Sequence, residues 1–199
     1  NQLVLTGQIN DVGGYTRTNV DQSYRAGLEL EAQFKIGQKI TLNSSSAFSQ
    51  NKILNFTEYV DVYLDEAPYY TQVQIAHGKT DLAFSPNFVQ SLSVKYAPIK
   101  ALQLAFQSKY VSRQFLDNTS NVQRSLDPFT FSNLSATWKV QQKFAEAFEI
   151  GFLVNNIFNA MYANNGYTFS YQYGGQTTTE NFYYPQAGRH FLLRMSLEF

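Results

Sequence analysis

Between Tyr24 and Ile36 the sequence alternates without a miss. Tyr24, Ala26, Leu28, Leu30, Ala32, Phe34 and Ile36 hold the even positions, and Arg25, Gly27, Glu29, Glu31, Gln33 and Lys35 the odd ones. A helix would scatter those apolar side chains round its circumference, whereas an extended strand sorts them onto one face. The end of the chain repeats the pattern. Phe191, Leu193, Met195, Leu197 and Phe199 fall on one side, His190, Arg194, Ser196 and Glu198 on the other, with Leu192 as the exception. Shorter copies run through Leu92-Val94-Tyr96, Leu102-Leu104-Phe106, Leu134-Ala136-Trp138-Val140 and Phe148-Ile150-Phe152-Val154. Residues 39–53 follow less cleanly, because Ile40, Leu42 and Phe48 are spaced by Ser and Asn.

Together with the opening stretch Leu3 to Ile9, this periodicity predicts eight strands, at 2–9, 23–36, 39–53, 87–97, 101–115, 128–140, 146–159 and 188–199. Long connections at 10–22, 54–86, 116–127 and 160–187 interleave with short ones at Gly37-Gln38, Pro98-Ile99-Lys100 and 141–145. In an up-and-down meander alternate connections lie at the same end, so one end carries tight turns and the other long loops. Outer membrane barrels have this polarity, with short periplasmic turns and long extracellular loops. A soluble antiparallel sandwich also alternates, but its strands average about five or six residues. The long strands here suit a tilted crossing of about 9–11 residues. Tyr24, Phe34, Tyr96, Trp138 and Phe199 stand towards strand ends, where aromatic rings favour the headgroup levels of a bilayer. In hydrocarbon no water satisfies free backbone groups, so such a sheet must close. The expected fold is all-β, an antiparallel up-and-down transmembrane β-barrel segment. Eight strands can close alone, as an adhesin or anchor, or form one wall of a wider barrel that holds a channel or plug.

Composition narrows the function. Charged residues make up 15% of the 199, against roughly 25% in a soluble domain. Fifteen Lys+Arg balance fifteen Asp+Glu, so there is no basic surface for nucleic acid. Without Cys there is no disulfide scaffold, iron–sulfur site or thiol catalyst. No window approaches the ~18 apolar residues of a membrane helix. The two histidines, His77 and His190, are too far apart in the pattern to suggest a metal site. Asp61, Asp65 and Glu66 lack the spacing of a calcium loop and read as a solvated acidic loop. Catalytic Ser, Walker and dinucleotide patterns are missing, so neither catalytic residues nor a cofactor are expected. Recognition is therefore expected in the loops. Tyr63, Tyr69 and Tyr70 in 54–86, with Tyr167, Phe169, Tyr171, Tyr173, Tyr183 and Tyr184 in 160–187, are the candidate contacts for a small molecule. Tyr joins apolar area to a hydroxyl at low entropic cost. The alternation from Tyr167 to Tyr173 also fits a hairpin continuing above the wall, with Gly174-Gly175 at its tip.

Three segments carry a resemblance. The terminal run Tyr183-Tyr184-Pro185-Gln186-Ala187-Gly188-Arg189-His190, followed by the strand ending on Phe199, resembles the closing strand of TonB-dependent outer membrane receptors, with its Pro-x-x-Gly-Arg entry. Asn155-Asn156-Ile157-Phe158-Asn159, followed by Tyr162, resembles the family's Asn-Leu-Phe-Asn run, with Ile157 for the usual Leu. Gly27-Leu28-Glu29-Leu30-Glu31 resembles its Gly-x-Glu-x-Glu strand. The resemblance implies a larger barrel of which residues 1–199 are the C-terminal portion, its last eight strands. It implies location in the outer membrane of a Gram-negative bacterium and uptake of a scarce nutrient, most often an iron chelate such as a siderophore or haem. The plug domain has no counterpart in these residues, and TonB would act only through that N-terminal part. Phe191, Leu193, Met195, Leu197 and Phe199 resemble the signal read by the barrel assembly machinery, and the lipid of the outer membrane would be the other partner.

Overall fold

The computed structural model describes residues 2–142 and 145–198. In chain order the strands are β1 (Gln2–Ile9), β2 (Tyr15–Val20), β3 (Gln22–Ile36), β4 (Ile40–Leu54), β5 (Thr57–Tyr63), β6 (Tyr70–Ala76), β7 (Thr80–Asp81) and β8 (Phe88–Ile99). There follow β9 (Leu102–Val111), β10 (Gln114–Phe115), β11 (Ser125–Leu126), β12 (Phe129–Gln142), β13 (Ala145–Asn155), β14 (Ala163–Tyr173), β15 (Gln176–Pro185) and β16 (His190–Glu198). β3, β4, β8, β9, β12, β13 and β16 make one antiparallel wall in which chain order is spatial order, with β7 paired to β4. Seven of the eight expected strands thus build the meander. The opening stretch does not join it: β1 pairs with β2 in a separate ribbon. The wall does not close on itself, and among the described residues β3 and β16 are its unpaired edges.

Register explains why alternation was so regular in some strands and broken in others. Reading straight across the wall, Phe34, Leu42, Val94, Phe106, Leu134, Val154 and Phe191 stand side by side, one from each strand. The next residue along faces the opposite way, and that row reads Gln33, Asn43, Ser93, Gln107 and Asn133. Leu192, the exception in the last strand, lies opposite Leu153 on the polar side, so the two anomalies are partners. The weak alternation of residues 39–53 also has a cause. Ser44 and Ser46 of β4 project on the apolar side and are bound by Gln90 of β8. The Gln90 amide donates to Ser44 Oγ (3.0 Å) and to the Ser91 carbonyl (3.1 Å), and Ser46 Oγ donates to the Gln90 carbonyl oxygen. Hydrocarbon permits polar groups that satisfy one another in this way.

The apolar side is not a core. Phe34 is 57% exposed and Met195 64%, and Leu28, Leu30, Ile36, Trp138, Phe191 and Leu193 are exposed too. A continuous apolar face of this extent would be an aggregation surface in water and is the normal outer face of a membrane barrel. On the opposite side Glu149 is bridged by Arg194 and by Lys139 Nζ at 3.4 Å. The small buried core sits instead at the loop end, where Val4, Ile53, Phe56 and Leu82 pack together.

The predicted ends shift where backbone geometry intervenes. Asn156 and Asn159 adopt positive φ (48° and 54°), which stops β13 at Asn155 rather than 159. The segment 101–115 is interrupted after Val111, its end forming the separate β10. The short turn expected at 141–145 includes residues 143 and 144, outside the described residues, as is Phe199 of the expected assembly signal. Gly27 is required by close packing, since a Cβ there would lie 2.5 Å from the Phe48 carbonyl oxygen.

Candidate functional site

All the long connections emerge at one end of the wall, and each is structured. The 54–86 segment, expected as a loop, holds the β5–β6 hairpin. Segment 160–187 holds the β14–β15 hairpin, turned by Gly174 and Gly175 at φ 57° and 78°. Two successive positive φ values are what a tight turn matching strand twist demands. β14 runs parallel to β5, pairing Tyr171 with Asp61 and Tyr173 with Tyr63, so the two hairpins form one four-stranded sheet above the wall.

The base of the β14–β15 hairpin is fixed by the asparagines of the Asn-Ile-Phe-Asn run. The Asn156 backbone N–H donates to Asn133 Oδ1 (3.0 Å), while its side-chain amide donates to the carbonyls of Ala160 (2.9 Å) and Ala187 (3.2 Å). Its Oδ1 accepts from the Ala160 N–H (2.8 Å), and Asn159 Oδ1 accepts from the Arg189 N–H (2.9 Å). Asn tolerates the left-handed backbone that both positions adopt. This knot, with Asn156 buried at its centre, joins the exit of β13 to the entry of β16. Asn156→Ala removes three side-chain hydrogen bonds of a buried residue, two to the half-buried Ala160 and one to Ala187, and is expected to cost about 2–3 kcal/mol at roughly 1 kcal/mol per bond. A denaturant midpoint measured in detergent checks it, and an unchanged midpoint would refute the knot.

A buried ionic cluster ties the loops together. Arg124 Nη1 bridges Glu58 of β5 and Asp117 (3.0 Å to Oδ2), and His77 Nε2 lies 2.9 Å from Glu58 Oε2. Arg124 is 7% exposed and Glu58 9%. Burial alone would lower the Arg124 pKa, but hydrogen bonds and charges from Glu58 and Asp117 more than reverse it, so the guanidinium stays charged. Lys52 Nζ meets Asp81 Oδ1 at 2.5 Å, and Ser120 Oγ donates to Asp81 Oδ2 (2.9 Å). Asn118 Nδ2 donates to the Leu5 carbonyl (3.1 Å), drawing β1 into the assembly. Asp61 is a second hub, accepting from Tyr15 Oη (3.0 Å), Tyr70 Oη (2.7 Å) and Gln72 Nε2 (2.8 Å). Burial, then the Asp61 carboxylate, raises the pKa of both tyrosines. Asp61 and Asp65 are therefore used as hydrogen-bond acceptors, Asp65 taking Tyr173 Oη at 2.8 Å. Among the described residues no cluster of metal-ligating side chains forms.

Between β1, β5, β14 and segment 116–124 lies a cavity of about 420 Å³, bordered by Arg17, Arg25, Glu58, Arg124, Tyr167 and Phe169 among others. Of the candidate contacts, Tyr167 and Phe169 border this cavity. The Tyr167 ring stacks on Phe182 at 4.8 Å and 11°, and Phe169 on Phe182 at 6.0 Å and 9°. Tyr63, Tyr70 and Tyr171 form a separate aromatic group, with Tyr63 5.7 Å from Tyr70 and 5.9 Å from Tyr171. Tyr183 Oη donates to the Ser125 carbonyl (3.3 Å) beside a second recess. Tyr69 and Tyr184 are exposed. Sequence reasoning missed Glu58, Asp117 and Arg124, whose only signal is three ordinary charges in two loops.

A membrane wall with tight turns at one end and an interlocked loop assembly at the other defines a class of outer-membrane-type β-barrel. The chain belongs to the TonB-dependent receptor family: residues 1–157 match its β-barrel, described as "TonB dependent receptor-like, beta-barrel". Among solved structures it resembles the siderophore receptor PiuA from Acinetobacter baumannii, at 15% identity and a TM-score of 0.66, over 97% of this chain and 23% of that one. It also resembles the ferric citrate transporter FecA in the unliganded form, at 20% identity and a TM-score of 0.62, over 97% of this chain and 26% of that one. The chain thus spans about a quarter of the length of these structures. No curated protein matches it.

Proposed function

We propose that residues 1–199 are the C-terminal sector of an outer membrane receptor that takes up an iron chelate by TonB-coupled transport. The observation that carries this reading is the family match over residues 1–157, joined to a loop-end cavity bordered by aromatic residues, arginines and carboxylates. The two neighbours in fold are a siderophore receptor and a ferric citrate transporter. The polar inner rows leave a wettable lumen, the apolar rows an outer face for lipid. Phe191, Leu193, Met195 and Leu197, with Phe199, are assigned to recognition by the barrel assembly machinery. The other reading, a self-contained eight-stranded adhesin or anchor, asks for a wall closed on itself, whereas β3 and β16 are unpaired edges among the described residues.

Iron-limited cells lacking the receptor are expected to lose growth and radiolabelled iron uptake on at least one ferric chelate, and inactivating TonB in the parent is expected to give the same loss. Uptake unchanged across hydroxamate, catecholate, citrate and haem sources would overturn the reading.

A further inference from the structure

The loop-end cavity lies where two neighbouring strands part. β5 and β14 pair in parallel only over Asp61–Tyr63 and Tyr171–Tyr173. Earlier in both strands that ladder is absent, and Glu58 and Tyr59 border the cavity together with Gly166 to Ser170. Register gives the direction of each backbone edge. Gly174-Gly175 is a two-residue turn, so Tyr173 and Gln176 form a hydrogen-bonded pair, and by alternation Phe169 and Tyr171 spend their backbone groups on β15. Thr168 and Ser170 therefore turn their N–H groups towards β5. On β5 the His77 N–H donates to the Phe56 carbonyl (2.7 Å) and the Leu64 N–H to the Tyr69 carbonyl (3.0 Å), which by the same alternation points Thr57 and Tyr59 across the gap. β1 closes that side, since a Cβ on Gly7 would lie 2.2 Å from the Tyr59 carbonyl oxygen. The β14 side stays open. The Gly166 N–H bends back to Asn165 Oδ1 (2.8 Å), while the N–H groups of Thr168 and Ser170 have no partner among the described residues. A strand edge with free donors is a template for another extended backbone.

The charges at the border say what that backbone carries. Glu58 and Asp117 are held by Arg124, and Asp61 accepts from Tyr15, Tyr70 and Gln72. Arg17 and Arg25 border the same cavity and form no ion pair among the described residues. Arg25 Nη1 is directed to neutral oxygens alone, Asn51 Oδ1 (3.2 Å) and Ser85 Oγ (3.3 Å). From this we infer, resting on the receptor reading above, that the chelate taken up here carries a short extended peptide segment ending in a carboxylate. The segment adds to the free edge of β14 and offers its carboxylate to Arg17 and Arg25. Edge pairing reads backbone whatever the side chains, and a guanidinium matches a carboxylate with two parallel bonds, so the two contacts divide affinity from polarity. The cavity volume of about 420 Å³ falls in the range of small-ligand sites.

The test measures binding to the intact receptor in outer-membrane vesicles of four probes built on one ferric trihydroxamate. The first is bare, the second carries a trialanine tail ending in a free carboxylate, the third has that tail N-methylated along its backbone, and the fourth has it amidated at its end. The free-acid tail is expected to lower Kd about thirtyfold or more relative to the bare chelate, and N-methylation to remove most of that gain by blocking strand pairing. Amidation should remove about tenfold of it through the lost charge-assisted bond. Thr168→Pro deletes an edge N–H that the β14–β15 hairpin does not use and should abolish the gain from the tail. Arg25→Gln should bring the free-acid and amidated tails together. Each variant is read as a ratio between probes, so misfolding, which weakens all four alike, is told apart. Equal binding of the tailed and bare chelates overturns this inference and leaves the receptor reading standing. So does an N-methylated tail bound as tightly as the free one, or no binding of any tailed probe by a receptor that takes up another ferric chelate. Failure to bind all four probes together with ferric catecholate, ferric citrate and haem overturns the receptor reading and the inference with it.

Discussion

Arg124→Ala will uncouple the loop assembly from itself while leaving the wall intact. The guanidinium is the only cation between two carboxylates of the cluster, Glu58 and Asp117, among the described residues. Removing it leaves Glu58 buried with His77 as its one remaining partner. Breaking a buried ion pair from one side costs about 3–5 kcal/mol, because the orphaned charge stays desolvated. Asp117 is 24% exposed at its side chain and can turn to water, which places the expected cost near the lower end. At about 1.4 kcal/mol per decade, local opening should rise by roughly a hundredfold or more. Amide hydrogen exchange reads it directly: β5 and the 114–126 segment should accelerate, β8 and β9 should not. Arg124→Lys keeps the charge but loses the fork that spans two carboxylates, so it should fall between. The double variant Glu58→Gln with Arg124→Met removes both charges and should recover much of the loss. Unchanged exchange in β5 for Arg124→Ala would mean that the cluster holds nothing together.

The contrast between wall and cluster shows what a single sequence makes legible. Period-two patterning is local, and the physics that produces it acts on every residue of a strand that has lipid on one side and water on the other. Strands expected at 23–36 and 39–53 accordingly appear as Gln22–Ile36 and Ile40–Leu54. The opening stretch Leu3 to Ile9 is a strand too, as expected, but a local pattern does not say which partner a strand takes, and β1 pairs with β2. Glu58 and Arg124 meet across 66 positions. Nothing near either residue marks it as buried, since a charge in a polar loop looks the same whether water or a guanidinium satisfies it. Among the tyrosines, spacing placed Tyr167, Phe169, Tyr171 and Tyr173 on one face of a hairpin. Which of them border the cavity depends on the parallel pairing of β14 with β5, a contact between loops far apart in sequence.

Leu28→Arg and Glu29→Arg, adjacent at the centre of β3, should behave as opposites. Leu28 projects on the apolar side, directly opposite Phe48, which in turn faces Phe88 across a 4.7 Å ring stack. An arginine there must place its charge among these rings and the surrounding lipid, at a depth where such substitutions cost about 2–4 kcal/mol. Glu29 projects on the polar side, opposite Ala47, where an arginine can remain hydrated, so its substitution should cost well under about 1 kcal/mol. Folding into vesicles against urea, followed by the gel mobility of the folded form, separates the two outcomes. The Ser44–Ser46–Gln90 group supplies an internal control on the same face. Its polar atoms are satisfied within the wall, so Ser46→Ala should shift the midpoint far less than Leu28→Arg although both sit on the lipid side. A tolerated Leu28→Arg beside a damaging Glu29→Arg would exchange the two faces of the sheet, and the polar rows would then have to face lipid. Backbone pairing cannot rescue that arrangement, because Gln33, Asn43, Gln107 and Asn133 would carry their amides into hydrocarbon with too few partners to satisfy them.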